Sequence, residues 1–230
     1  MLAVFVNVLT VITGSILGVL LNKRLKDEYT KTIIAAMGIC TMVIGISGAI
    51  ETSNMIIVIV CLVIGTVLGE LLKLEQRLDG LGDRLKNKVA KNGSGRFTEG
   101  FVSASLLFCI GSMSIMGSFD AGLRGDYDII FTKSAMDGIM AVTLSATLGM
   151  GVAFSALTIL VYQGGLTLLA GVIAPILSVP VITEMSAVGG MMLIATGMNL
   201  IGITKARIRV GNMLPALIFP AIWFAIAGLF

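Results

Sequence analysis

The chain has 230 residues, 57% of them hydrophobic and only 13% charged, with a mean hydropathy of +1.02 and a net charge of +3. Soluble domains average about 45–50% apolar and about 25% charged residues, so this balance excludes a water-soluble globule and points to an integral membrane protein. The absence of histidine removes the commonest metal ligand and the usual neutral-pH proton carrier. Cys40, Cys61 and Cys109 lie in apolar runs at unrelated spacings, which argues against a disulfide framework or a cysteine metal site.

The N-terminus, Met1-Leu2-Ala3-Val4-Phe5, lacks the basic region of a secretory signal peptide, so residues 2–21 are expected to be a retained first span. A basic loop over 22–31 follows, then a second span over 32–50 and the short turn Glu51-Thr52-Ser53. The third span is expected over 54–72. Residues 73–98 form a long polar segment in which Leu74, Leu78, Leu81 and Leu85 recur at helical spacing, as in an amphipathic helix lying on the membrane surface. Span four is expected over 100–117, and an acidic loop over 119–132. Residues 138–183 contain no charge and are about twice the ~20 residues that one crossing needs. They are expected to turn or break at Gly149-Met150-Gly151 and at Tyr162-Gln163-Gly164-Gly165, which makes them spans five and six with a broken helix. Spans seven and eight cover 185–203 and 210–230. The chain is thus expected to be an all-α polytopic membrane protein of about eight transmembrane spans. It reads as a single integral membrane domain over 1–230, with 73–98 as its cytoplasmic connector.

Cytoplasmic loops retain Lys and Arg. Of the 16 basic residues, 14 fall in 22–31, 73–98 and 204–209. With eight crossings, this places both the N-terminus and the C-terminus outside. The same distribution accounts for the positive net charge as topology, and no nucleic-acid partner is expected.

A shift of the chain by 157 residues sets Leu9, Thr10, Gly14, Ile16 and Leu20 against Leu166, Thr167, Gly171, Ile173 and Leu177. The loop after span one is basic while its counterpart carries Glu184, and the acidic turn after span two faces Lys205-Ala206-Arg207-Ile208-Arg209. Matching elements of opposite orientation indicate an inverted-topology repeat with halves 2–72 and 159–230. In transporters, such repeats place the substrate near the midplane, where discontinuous helices meet. In this alignment Asn7-Val8 faces Gly164-Gly165, so both first spans are expected to be interrupted there.

Asp137 is the carboxylate that falls within the apolar region, where an ionisable group suggests an ion, proton or substrate contact. The alternative is an interfacial pair with Lys133, four residues earlier on the same helix. Ser112 and Ser114, in a run of small and hydroxyl residues, suit either helix packing or a polar pathway. Gln163 with Gly164 and Gly165 is a stronger pathway candidate, because close packing does not call for an embedded Gln. Asn7, Asn199 and Asn212 complete the residues expected to line or gate a site. Gly14-x-x-x-Gly18 and Gly65-x-x-x-Gly69 are close-packing motifs that signal helix contact within or between chains. Together with the small size, they suggest a homodimer. No serine–histidine–aspartate set, zincin motif, P-loop or dinucleotide fingerprint is present, so neither enzymatic activity nor a cofactor is expected.

Several ordered runs carry a resemblance. They are Phe101-Val102-x-Ala104-Ser105-Leu106-Leu107-Phe108-Cys109-Ile110-Gly111, Lys133-Ser134-x-Met136-Asp137-Gly138, Gly149-x-Gly151-Val152-x-Phe154-Ser155-Ala156, Tyr162-Gln163-Gly164-Gly165-Leu166-Thr167 and Asn212-Met213-Leu214-Pro215-Ala216. Over essentially its whole length the chain resembles domain-of-unknown-function family 554, the YdfK/YqgA-like bacterial membrane proteins. The resemblance implies a multi-pass protein of the prokaryotic cytoplasmic membrane and leaves activity to the residues. These favour a small secondary transporter or channel-like protein for a small solute or ion. The alternative is a non-transporting scaffold or regulator acting through 73–98.

Overall fold

The computed structural model describes residues 1–22, 27–78, 80, 97–109, 112–173, 177–204 and 206–227. Helices dominate, and no strand occurs among the described residues. In chain order they are α1 (Leu2–Asn22), α2 (Asp27–Ile50), α3 (Met55–Leu71), α4 (Phe97–Cys109), α5 (Ser112–Leu123), α6 (Asp128–Leu148), α7 (Gly151–Leu168), the single turn α8 (Ala170–Ile173) and α9 (Val179–Ile201). A 3-10 helix over Val210–Leu217 and α10 (Phe219–Ala227) complete the chain. The chain forms two compact units. The first holds Met1–Met37, Leu78–Cys109 and Met113–Gly171; the second holds Gly38–Arg77, Ile110–Ser112 and Val172–Phe230.

In the first unit, α1 and α6 run side by side in the same direction. A Cβ added at Gly14 would stand 2.5 Å from the carbonyl oxygen of Gly138, and one at Gly18 2.1 Å from that of Val142. Lipid supplies no hydrophobic drive between helices, so such an approach gains its stability from backbone-level van der Waals contact that any side chain would block. α4 lies parallel to α7, with the Phe97 and Phe154 rings 5.3 Å apart and the Ser105 and Thr158 hydroxyls at 3.0 Å. Further along, α5 meets α7, where a Cβ at Gly122 would reach within 2.3 Å of the Thr167 carbonyl oxygen.

In the second unit, α2 packs antiparallel to α9. Gly38 opposes Gly197, and Gly45 opposes Gly190. α3 packs antiparallel to the 3-10 helix, Gly65 against Ala216 and Gly69 against Asn212. Both close-packing motifs are therefore used inside the chain, and neither gives a reason for a dimer. α3 begins at Asn54, whose side-chain oxygen accepts the Ile56 N–H at 3.0 Å and so caps an otherwise orphaned donor. α9 carries Pro180 in its first turn, where a missing N–H does no harm, and ends at Gly202 in the left-handed conformation (φ 75°).

Five described helices are long and apolar enough to cross a membrane, and the bent pair α4–α5 makes a sixth. Outward faces support this: α3 exposes Ile56, Ile59, Val63, Val67 and Leu71 while burying Ile57, Val58, Cys61, Gly65 and Gly69. The chain is a multi-pass membrane protein. Eight spans of full length are not present among the described residues. The two remaining apolar segments, Met55–Leu71 and Val210–Ile226, are shorter, the first because its cap starts late and the second because Pro215 interrupts it.

Some expectations are corrected. α7 runs unbroken through Gln163-Gly164-Gly165, and α1 runs unbroken through Asn7-Val8, because each polar side chain finds a partner without releasing the backbone. The turn at Gly149 does occur, with φ 81° at that glycine. The bend lies instead in the fourth span, where the α4 and α5 arms meet at 59°. The acidic loop expected over 119–132 is mostly helix, since α5 extends to Leu123 and α6 starts at Asp128. Of the 73–98 connector, residue 79 and residues 81–96, including Leu81 and Leu85, lie outside the described residues.

Candidate functional site

Three buried stripes in the first unit carry polar side chains. On α1 the inward residues include Val4, Asn7, Val11 and Ser15; on α6, Ile130, Lys133, Ser134, Asp137, Ala141 and Ser145; on α7, Val152, Ser155, Ile159 and Gln163. These spacings of three and four follow from the helical period, so a continuous helix is what brings each polar group onto the packed seam. Ser114 and Ser118 enter from α5 one turn apart, both fully buried.

Where the stripes meet, they form one connected network. Lys133 Nζ donates to Asp137 Oδ2 at 2.5 Å. Asn7 Nδ2 donates to the same Oδ2 at 3.1 Å and to Gln163 Oε1 at 3.0 Å. Gln163 Nε2 donates to Ser114 Oγ at 2.9 Å, and Ser114 Oγ donates to the Phe108 carbonyl oxygen at 3.2 Å. The direction of this chain follows from charge. An ionised Asp137 can only accept, so Asn7 must present its amide nitrogen, which in turn orients the Gln163 oxygen toward Asn7 and its nitrogen toward Ser114.

Asn7, Ser114 and Gln163 are 0% exposed, and Lys133 and Asp137 each 6%. Taking both charges of an ion pair out of water costs several kcal/mol per ion, and an apolar pair of similar size often packs at least as well. An embedded ion pair laced into neutral amides therefore has a stronger rationale as a site than as a brace. The arrangement is also incomplete: Asn7 Oδ1 is buried and has no hydrogen-bond partner, and the same holds for the hydroxyls of Ser15, Ser145 and Thr167.

Of the residues singled out from sequence, Asn7, Ser114, Asp137 and Gln163 come together here. Gly164 sits beside them against Met1 and Val4, while a Cβ at Gly165 would meet nothing within 4 Å. Ser112 opens α5, and its side chain lies outside the described residues. Asn199 and Asn212 belong to the second unit. Asn199 pairs through both ends of its amide with the backbone of Ile208, at 2.8 and 2.9 Å, and so ties the end of α9 to that residue. Asn212 accepts the Glu75 N–H at 2.7 Å and donates to Glu70, which also binds Arg209 at 2.5 Å.

Lys133 pairs with Asp137 one turn along α6, as the alternative reading of the sequence had it, and both partners are buried. The orphaned hydroxyls of Ser15 and Ser145 were not singled out, although their i, i+8 spacing from Asn7 and Asp137 carries the signal. Glu184, expected in an outer turn, is 1% exposed in α9 of the second unit. It accepts from the Thr52 hydroxyl at 2.5 Å and from the Ser53 and Asn54 N–H groups at 2.9 and 3.1 Å. A carboxylate that satisfies a hydroxyl and the two amides just ahead of a helix is a stabilising arrangement complete in itself.

Among known proteins, the model of the family described as "Protein of unknown function (DUF554)" matches residues 2–225. The "Uncharacterized membrane protein YdfK" of Bacillus subtilis (strain 168) is 36% identical over 220 residues, covering 94% of this chain and 92% of the relative. The "Uncharacterized protein YqgA" of Escherichia coli (strain K12) is 29% identical over 218 residues, covering 93% and 92%. No solved structure matches the chain.

Proposed function

The chain belongs to the DUF554 family, and from that premise and the buried network of its first unit we propose that it is a small secondary transporter or channel-like protein for a small polar solute or ion. The observation that carries the reading is the membrane-embedded Lys133–Asp137 pair tied through Asn7 and Gln163 to Ser114, with a buried acceptor left open. Intramembrane ionisable groups facing a protein interior mark ion and substrate pathways.

The proposal includes eight crossings in a prokaryotic cytoplasmic membrane, with both termini outside. Helix directions within each unit support that count. α1 and α6 run the same way, as do α4 and α7, whereas α2 opposes α9 and α3 opposes the 210–217 helix. All four relations follow if each apolar element crosses once, α4 with α5 as one bent span and 210–227 as the last. The proposal also includes the inverted repeat. Its alignment sets Asn7 one residue from Gln163, and these two side chains hydrogen-bond to each other. Each is backed by a parallel neighbour that supplies its outer partner, Asp137 for Asn7 and Ser114 for Gln163. Two equivalent helices meeting at equivalent polar residues is the arrangement that a pseudo-two-fold axis in the membrane plane produces.

The test is flux across proteoliposomes holding the purified full-length chain, screened with panels of inorganic ions and small metabolites. Gln163→Leu and Asp137→Asn, each monodisperse in detergent, should lower the flux at least tenfold. Loss of activity only on removal of 73–98, with both point variants silent, would sink this reading in favour of a scaffold or regulator.

A further inference from the structure

We propose that the junction between α3 and the 210–217 helix, in the second unit, is a two-state clasp set by ionic strength. Closed, as in this structure, it breaks α3 at Lys73; open, it lets α3 run on as one straight helix through 78. The inference goes beyond the transport reading and does not rest on it. α3 ends at Leu71, and a new helix is described over 74–78 after two turn residues. Lys73 makes the break at φ 52°, the one non-glycine residue with a positive φ among the described residues. That left-handed conformation suits glycine and is unfavourable for lysine. Such backbone persists only where its surroundings impose it. Here hydrogen bonds impose it. In a continuous α-helix the Glu75 N–H would donate to the Leu71 carbonyl, four residues back. It donates instead to Asn212 Oδ1 at 2.7 Å. In return, Glu75 Oε2 accepts the Gly211 N–H at 2.6 Å, in the first turn of the 210–217 helix. Each element thus supplies the acceptor for an amide that the other leaves without one. Asn212 also donates to Glu70, and Arg209 and Arg207 lie 2.5 Å from Glu70 and 3.7 Å from Glu75.

The two states trade interactions of similar kind. Opening returns the Glu75 N–H to the Leu71 carbonyl and removes the left-handed lysine; closing gains the Asn212 and Gly211 bonds and two ion pairs. The other side of the clasp is also held in a less favoured form, since its 3-10 helix runs for eight residues where about three or four are usual. The side chains of Arg207 and Arg209 are well exposed, so salt screens the ion pairs that favour closing and leaves the backbone bonds that favour opening untouched. Ionic strength therefore moves the balance. Closed, the clasp holds the start of the basic connector against the last span. Open, it sends that start away along the axis of α3, in a 55–78 helix roughly 36 Å long at 1.5 Å per residue.

The test is the distance between spin labels on Gln76→Cys and Ala206→Cys, both exposed positions, in full-length protein free of the three native cysteines and held in lipid nanodiscs. Raising sodium chloride from about 0.1 to about 1 M cuts the Debye length from about 10 to about 3 Å, and should increase a discrete longer-distance population at least about threefold. Asn212→Ala and Glu75→Gln should each show the same longer distance at low salt. Lys73→Gly should do the opposite and keep the short distance at high salt, because glycine takes the left-handed conformation freely and weakens a continuous helix. A distance unmoved by salt or by the clasp variants overturns the proposal. So does a single broadened distribution, which would mean fraying, and so does opening by Lys73→Gly. Should Asn212→Ala or Glu75→Gln not fold, the salt series and Lys73→Gly leave the clasp side chains intact and decide by the same outcomes.

Discussion

Asn7, Lys133, Asp137 and Gln163 act as one electrostatic unit, and the order in which they are removed should show it. Lys133→Met strands a buried carboxylate, and breaking a buried pair from one side costs about 3–5 kcal/mol. Replacing both partners, as Lys133→Met with Asp137→Leu, removes the charge problem and should restore most of that stability. Thermal unfolding in detergent of the two single variants and the double checks this. A double variant no more stable than the singles would mean that the pair braces α6 and that its charge is incidental. The glycines give a second contrast at this scale. A methyl at Gly18 would stand 2.1 Å from the Val142 carbonyl oxygen, whereas at Gly165 it would meet nothing. Gly18→Ala should therefore destabilise by about 1–3 kcal/mol through overpacking. Gly165→Ala should be neutral or stabilise by about 0.5–1 kcal/mol, since it removes a flexible residue from a helix interior. Equal effects on the unfolding midpoint would show that the α1–α6 seam is looser than the described packing.

α3 is fastened at both ends, and neither fastening resembles the site in the first unit. At its start, Glu184 collects the Thr52 hydroxyl and two backbone amides. Beyond its end, Glu75 accepts from the Gly211 N–H at 2.6 Å, with Arg207 at 3.7 Å, and Glu70 holds Arg209. The N-terminal fastening predicts a local outcome. Glu184→Ala leaves two amides without their acceptor, a loss of about 1–3 kcal/mol. Hydrogen exchange of residues 53–56 should then accelerate while that of α1 and α6 stays as it was; unchanged exchange at 53–56 would show that water replaces the carboxylate. The bent α4–α5 pair differs in kind from α3. Its hydroxyl-rich arm, with Ser114 and Ser118, delivers the last members of the network.

For the whole molecule, the eight-crossing topology makes a direct prediction. Glu51, Arg124 and Ala206 are exposed, and each can carry a single cysteine in a background free of Cys40, Cys61 and Cys109. A membrane-impermeant thiol reagent applied outside should label 51 and 124 but not 206. Labelling of 51 and 206 from one side would overturn the topology. Composition alone was enough for the membrane class, because a chain with so few charges has no other stable setting. The polar candidates were legible for the same reason: a Gln or Asp inside an apolar run stands out against its background, and four of the nine proposed residues prove to share one network. The count of full-length spans and the place of the break were not legible. A Gln-Gly-Gly run interrupts a helix only if its polar groups lack partners, and Asn7 and Ser114, more than 40 residues away in sequence, supply them. Asn199 and Asn212 looked equivalent to Asn7 for want of the same information, since an embedded amide reads identically whether it meets a backbone, a carboxylate or nothing. Lipid exposure and charge are properties of each residue and are written locally in the chain. Which amide completes which carboxylate, and which oxygen is left open, depends on helices parallel across more than a hundred residues, and only packing settles that.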